Sequence, residues 1–275
     1  MHIHIQNRAL LRISGVDAES FLQSQFTNDI SLLEDSNVQL SAYCQHQGKI
    51  IALFWLMRFN ESFILSFPGD LAEKIKARLE MFIIMSDVII EDISKDYLQI
   101  GLINEDNSNA FSINENLSLL IHSNEELNGV ITTHQDEWIK ACLDSHIPEV
   151  FLKSSEKFVP QMLNLDINEV GVNFSKGCYP GQEVVARLHY LGEAKRRLFL
   201  FQSKSEMQVG DNLYCLTSSS AKARGNRYKG SGVVVNKVKY NSKFYCLATL
   251  DVELLEDKIT INNQLGQTLE IIKNE

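Results

Sequence analysis

The pattern of the chain changes near Arg197. Beyond it, short alternating runs (LFLFQ, NLYCL, GVVVNKV and FYCLATL) are separated by polar turns. Alternation with a period of two suits strands that bury one face. Residues 196–275 therefore read as a small all-β barrel or sandwich.

The region before Arg197 reads differently. ALLRIS predicts a strand, followed by a helix with Asp17 as N-cap and Phe21, Leu22, Gln25 and Phe26 at helical spacing. Lys49–Arg58 and SFILSF read as strands. Asp70 then caps a helix whose apolar positions are Leu71, Ile75, Leu79 and Phe82, with Glu73 at the capping-box position. DVIIEDI and YLQIGLIN are further strands, which gives an α+β layer with a helix on one sheet face. Residues 105–127 are Asn/Ser/Glu-rich and predict a short edge strand and loops. Thr133 caps a helix, HQDEWIKACLDS, that ends before Pro148.

Composition narrows the function classes. The 275 residues are 44% hydrophobic and 22% charged, enough for a packed core. A net charge of −9 argues against indiscriminate nucleic-acid binding. The charge is uneven, because residues 187–243 hold 12 Lys/Arg against 3 Asp/Glu. That stretch is either a partner-facing basic surface or a solvated one. The five cysteines (Cys44, Cys142, Cys178, Cys215 and Cys246) are dispersed and contain no C-x-x-C, which fits a reducing compartment rather than a disulfide framework or zinc site. No signal-peptide pattern and no run of about 18 apolar residues is present, so the expectation is a cytoplasmic protein with no membrane span. His2 and His4 alternate in a strand-like segment, and His134, His146 and His189 are scattered; all read as surface or core residues, and no metal site is expected. Ser218–Gly232 lacks a Walker pattern and reads as a flexible loop.

One stretch concentrates chemistry. Ser175–Arg187 reads SKGCYPGQEVVAR. Val184, Val185, Leu188 and Leu191 predict a helix beginning near Gly181, with Pro180 at its entry. Cys178 then lies just outside a helix N-terminus with Lys176 nearby, and both features favour a thiolate. Gly177 and Gly181 permit a sharp turn or a close backbone approach. Glu183 and Arg187 are spaced to pair on the helix. The residues alone leave Cys178 as either a reactive thiol or a buried structural one, since no base can be assigned to it.

KGCYPGQE resembles the K-G-C-Y-x-G-Q-E signature of the YgfZ-type folate-binding proteins, relatives of the glycine-cleavage T-protein aminomethyltransferase. ALLRISGVDAESFLQSQFTND, GKII, FVPQMLNLD and VVARLHYLGEAKRRL are similar to the family's other blocks, so the likeness spans most of residues 8–198. The resemblance implies an aminomethyltransferase-like α+β fold. Residues 1–45 and 133–195 would form a folate-binding domain, 46–132 an inserted ferredoxin-like domain, and 196–275 the barrel. It implies tetrahydrofolate or a derivative as cofactor, and a role in maturing or repairing iron–sulfur enzymes that modify tRNA by methylthiolation. Partners would be iron–sulfur clients or assembly factors, with a weak tRNA contact through 187–243.

Residue by residue, the resemblance gives Cys178 and Lys176 the functional role, with Gly177, Tyr179, Gly181, Gln182, Glu183 and Arg187 as motif positions. It puts Trp138, ten residues ahead of Pro148, against a folate ring in a channel that Cys178 also faces. Asn28, Asp29 and Gln161 are further folate candidates; Asn28–Asp29 also reads as a turn. Arg8 stands where the better-known bacterial member has a second tryptophan, and there it either pairs with a folate carboxylate or leaves a weaker pocket. The alternative function is a folate-dependent one-carbon transferase. Against it, Ala52 and Leu53 replace the aspartate pair of true T-proteins, so the base is gone.

Overall fold

The structure is a computed structural model that describes residues 2–84, 86–124, 134–215, 230–263 and 266–273. Its first half contains β1 (His2–His4), β2 (Arg8–Ser14), α1 (Ala18–Gln25), β3 (Gln39–Cys44), β4 (Ile50–Phe59), β5 (Ser62–Pro68), α2 (Ala72–Glu80) and β6 (Ile89–Asp92). β7 (Tyr97–Ile103), β8 (Phe111–Ser112), β9 (Leu117–Ser123), α3 (Gln135–Asp144) and α4 (Gln182–Leu191) follow. The last strands are β10 (Arg196–Ser203), β11 (Asn212–Cys215), β12 (Gly232–Tyr240), β13 (Lys243–Asp251), β14 (Ile259–Ile261) and β15 (Thr268–Ile271).

Two antiparallel sheets and a barrel organise these elements. The five-stranded sheet has the order β3-β4-β5-β2-β6, and the four-stranded sheet β1-β7-β9-β8. Both draw strands from either side of residue 46. The C-terminal strands close as β10-β13-β12-β11-β14-β15, so of the barrel and the sandwich that the alternating segments beyond Arg197 allow, the chain forms the barrel.

β4 explains how the layers join. Its sequence is apolar without alternation, and Ile50–Met57 is buried throughout. A strand with two buried faces needs no polar side. Ala52, Phe54 and Leu56 face a core closed by Phe21 and Leu22 of α1 and by Ile75 and Leu79 of α2. Trp55 and Met57 face the four-stranded sheet and α3, while Leu53 joins a core shared with Leu198, Leu200 and Leu247 of the barrel. Each fully buried side chain of this size stabilises by roughly 1.5–3 kcal/mol.

Several local expectations are corrected. Residues 105–127 hold β9, a seven-residue strand paired to β7, because Leu117, Leu119 and Ile121 alternate inward. Asp70 lies in a 3-10 turn ahead of α2, and its carboxylate accepts from Leu152 N at 3.0 Å instead of capping the helix. α2 stops at Glu80, which leaves Phe82 46% exposed. Asp17 is an N-cap by position, but its side chain accepts from Asp87 N at 2.8 Å. Thr133 and most of Ser218–Gly232 lie outside the described residues. No described helix is long and apolar enough to cross a membrane.

Candidate functional site

The signature segment is tied down on both sides of Cys178. On the N-terminal side, Asn173 Oδ1 accepts from Ser175 N at 2.8 Å and Lys176 N at 2.9 Å. Lys176 then turns inward, and its residue is 8% exposed. Its Nζ donates to the carbonyls of Gln23 at 2.7 Å, Phe26 at 2.6 Å and Asn28 at 2.8 Å. Gln23 belongs to the last turn of α1 and Phe26 is its C-cap. Helix C-termini leave carbonyls without partners and carry partial negative charge, so an ammonium belongs there. Burial lowers the Lys176 pKa to about 8, partly offset by Asp29.

On the C-terminal side, Tyr179 is buried, with its hydroxyl's acidity suppressed first by burial and then by Cys44 beside it. Gly181 is the N-cap of α4 at φ +85°, and a Cβ there would sit 2.4 Å from the Gln45 carbonyl oxygen. Only glycine fits both the backbone angle and the gap. Between these anchors Cys178 is exposed, and a Cβ on Gly177 would meet nothing within 4 Å. The loop thus presents an accessible thiol just ahead of a helix N-terminus.

Lys176 and Gln182 serve the scaffold. An ammonium has three N–H donors, and those of Lys176 are directed at three backbone carbonyls, not at the thiol. Gln182 Nε2 reaches the Lys176 and Gly177 carbonyls, both at 3.5 Å. Among the described ion pairs, none joins Glu183 to Arg187. α4 buries Val185, whereas Val184 is 40% and Leu191 83% exposed, so the expected apolar face is only partly covered.

A cavity of about 560 Å³ lies elsewhere, between the sheets and the 163–170 segment. Its inner wall includes Leu40, Trp55, Pro148, Leu163 and Leu165, and its mouth Asn114, Ile167, Asn168 and Val170. No Lys, Arg, Asp or Glu lines it; Ser145, His146 and three asparagines supply its polar groups. Asn164 is already committed, since its amide donates to Leu198 O at 2.9 Å and accepts from Leu198 N at 3.3 Å. No residue of 175–187 lines this cavity, so the thiol lies apart from it.

Trp55 also borders a second cavity, of about 160 Å³, where two expected folate residues meet. The Arg8 guanidinium lies 3.9 Å over the Trp55 ring, donates to Ser66 Oγ at 2.8 Å and pairs with Glu149. Burial lowers the Arg8 pKa to about 9. Trp138 meets Trp55 edge-on at 6.0 Å and lies against Gly101, where a Cβ would come within 2.3 Å of the indole. It borders the small cavity and not the large one.

The remaining candidates shape the chain. Asn28 Nδ2 donates to Leu40 O at 2.9 Å and Val170 O at 3.3 Å. Asp29 Oδ1 accepts from Ser31 Oγ at 2.6 Å and from Gln23 Nε2 at 3.0 Å, and the Ser31 bond is the first cause of its lowered pKa. Gln161 Nε2 donates to Val185 O at 2.8 Å and so holds α4. None of these three lines either cavity. Trp55 and His146 do border the large one, and neither was singled out from sequence. The available signal for His146 was a helix ending before Pro148 with no glycine to close it.

No protein-family model matches the chain. An uncharacterized protein of Haemophilus influenzae is 31% identical over 221 residues, 77% of either chain. The tRNA-modifying protein YgfZ of Colwellia psychrerythraea is 30% identical over 236 residues, covering 74% of this chain and 72% of its own. The chain belongs to the YgfZ family. A YgfZ of Photorhabdus laumondii is 27% identical over 87% of this chain. The glycine cleavage system aminomethyltransferase T of Bartonella henselae superposes with a TM-score of 0.65 over 99% of this chain and 84% of its own, at 12% identity. This YgfZ-family chain therefore has the aminomethyltransferase fold. Ala52 and Leu53, expected in place of an aspartate pair, are buried in apolar cores.

Proposed function

We propose that this protein is an accessory factor for tRNA modification. It binds a folate in the large cavity and supports iron–sulfur partner enzymes in the cytoplasm through Cys178. The observation that carries the reading is the signature loop, in which two buried anchors hold one accessible thiol outward. Relatives sharing most of the chain's length are named tRNA-modifying proteins.

The cavity suits the body of a folate. Ligand sites commonly span about 300–1,000 Å³ and combine apolar walls with few polar groups, and this one has 560 Å³ with no charged lining. Leu40, Trp55, Pro148 and Leu165 would enclose a flat ring system, and Ser145, His146 and Asn168 would meet its polar edge. A folate supplies one-carbon chemistry when bound. This chain's own part is to bind, orient and exclude water, since no carboxylate in the cavity can take a proton from a ring nitrogen. The charged glutamate end would lie beyond the apolar wall.

A cluster is read as the partner's cargo. Among the described residues, no three His, Cys, Asp or Glu side chains converge as metal ligands. Of the basic residues in 187–243, Arg197 is bound to Asp166 and Arg196 donates to Gly230 O, while Arg187 and Lys195 are exposed. Lys222, Arg224, Arg227 and Lys229 lie outside the described residues.

The test is complementation. In cells lacking their own protein of this type, wild type should restore methylthiolated tRNA bases, measured by mass spectrometry, and Cys178→Ala should not. Equal rescue would make the thiol dispensable and remove the reading's main support.

A further inference from the structure

Helix α3 ends in a way that its sequence disguises. His146 N donates to Leu143 O at 2.9 Å, and Ile147 N donates to Cys142 O at 2.9 Å. These two bonds form a Schellman closure, whose left-handed residue is usually glycine. Here that residue is His146, at φ +54°. A side chain at this angle crowds its own backbone, and glycine does not. The chain therefore carries an imidazole where helix closure alone favours none.

His146 lines the large cavity. Its Nδ1 lies 3.2 Å from the Asp144 carbonyl oxygen. A carbonyl only accepts, so Nδ1 carries the hydrogen of that bond. In the Nδ1–H tautomer Nε2 is the acceptor, and among the described residues no hydrogen bond is seen at it. Ser145 beside it and Asn168 across the mouth also line the cavity, whose wall is otherwise largely apolar.

We infer that His146 is a specificity-determining residue of the large cavity, its Nε2 accepting from an N–H donor on the edge of a flat, uncharged heterocycle. The inference rests on the folate reading and deepens it, because it names the ring edge, not the charged tail, as the part recognised. It explains the backbone angle as well, since the unfavourable closure residue is the one that reaches the cavity.

The test separates recognition from folding. Full-length wild type, His146→Gly and His146→Asn are titrated with 5-formyltetrahydrofolate by calorimetry, and their thermal midpoints are recorded. His146→Gly relieves the left-handed residue, so its midpoint should be unchanged or higher. Its affinity should fall about tenfold, the size of one well-placed hydrogen bond. Asparagine tolerates the same angle and offers an acceptor, so His146→Asn should keep part of the affinity. Glycine binding as tightly as wild type overturns the inference alone. A lower midpoint for His146→Gly overturns it too, because the ring would then be packing. Wild type that binds no folate overturns the folate reading and the inference with it.

Discussion

The signature loop and the large cavity are built in opposite ways. The loop spends its polar groups inward. Lys176 is consumed by three carbonyls, Asn173 by its own turn and Gly181 by a backbone crossing, so the thiol is what faces out. The cavity is walled by apolar side chains from distant segments, with Ser145, His146 and three asparagines as its polar lining residues. The first arrangement leaves a thiol open to partners of any size. The second encloses something small. A single channel serving both would need residues of 175–187 in the cavity wall, and none is there.

The largest effect should come from removing the loop's inner anchor. Lys176→Met leaves the Gln23, Phe26 and Asn28 carbonyls without their donor, at a cost of about 2–3 kcal/mol measured by chemical denaturation. The pH dependence sharpens the point. The Lys176 pKa falls from 10.5 unfolded to about 8 folded. Across that window the unfolded chain binds the proton more tightly, so this group's contribution to stability rises with pH. Below pH 8 both states hold the proton and the burial penalty is fully present. The wild-type advantage over Lys176→Met should therefore widen from pH 8 upward. A flat difference would mean that the ammonium is not buried in its cage.

Next comes a pair of glycines four residues apart. Gly181→Ala forces a Cβ into the Gln45 carbonyl at φ +85° and should cost about 2 kcal/mol. Gly177→Ala meets open space and should change stability by less than about 0.5 kcal/mol. Equal penalties would erase the distinction between an anchored flank and a free crest.

The loop was legible because its determinants are contiguous. Glycine, proline and the following apolar spacing placed α4 within a residue of its start, and alternation beyond Arg197 marked an all-β part without deciding that it closes into a barrel. The partners were not legible. Nothing in the spacing of Lys176 tells that it reaches residues 23–28 and not the thiol two positions away. The cavity was hidden for the same reason, since its wall gathers residues from 38 to 170. Trp55 disappeared into a continuous apolar run, and His146 into a helix end that lacks its usual glycine. Trp138 kept the predicted helix, but Gly101 and Trp55 hold its ring in the core beside the smaller cavity.

The smallest expected effect is none at all, and it tests the separation most directly. Iodoacetamide should modify Cys178 first, because Cys44, Cys142 and Cys246 are buried and Cys215 is half-buried. The rate at Cys178, followed by peptide mass mapping, should be the same with and without saturating 5-formyltetrahydrofolate. One physical route could make it differ. Asn28 donates to Val170 O at the cavity mouth at 3.3 Å, and its own carbonyl accepts from Lys176 Nζ at 2.8 Å. A ligand-dependent rate that vanishes in Asn28→Ala would mean that this residue couples the two regions. A ligand-dependent rate that survives the substitution would mean that the thiol meets the ligand itself, and the two-region description would fall.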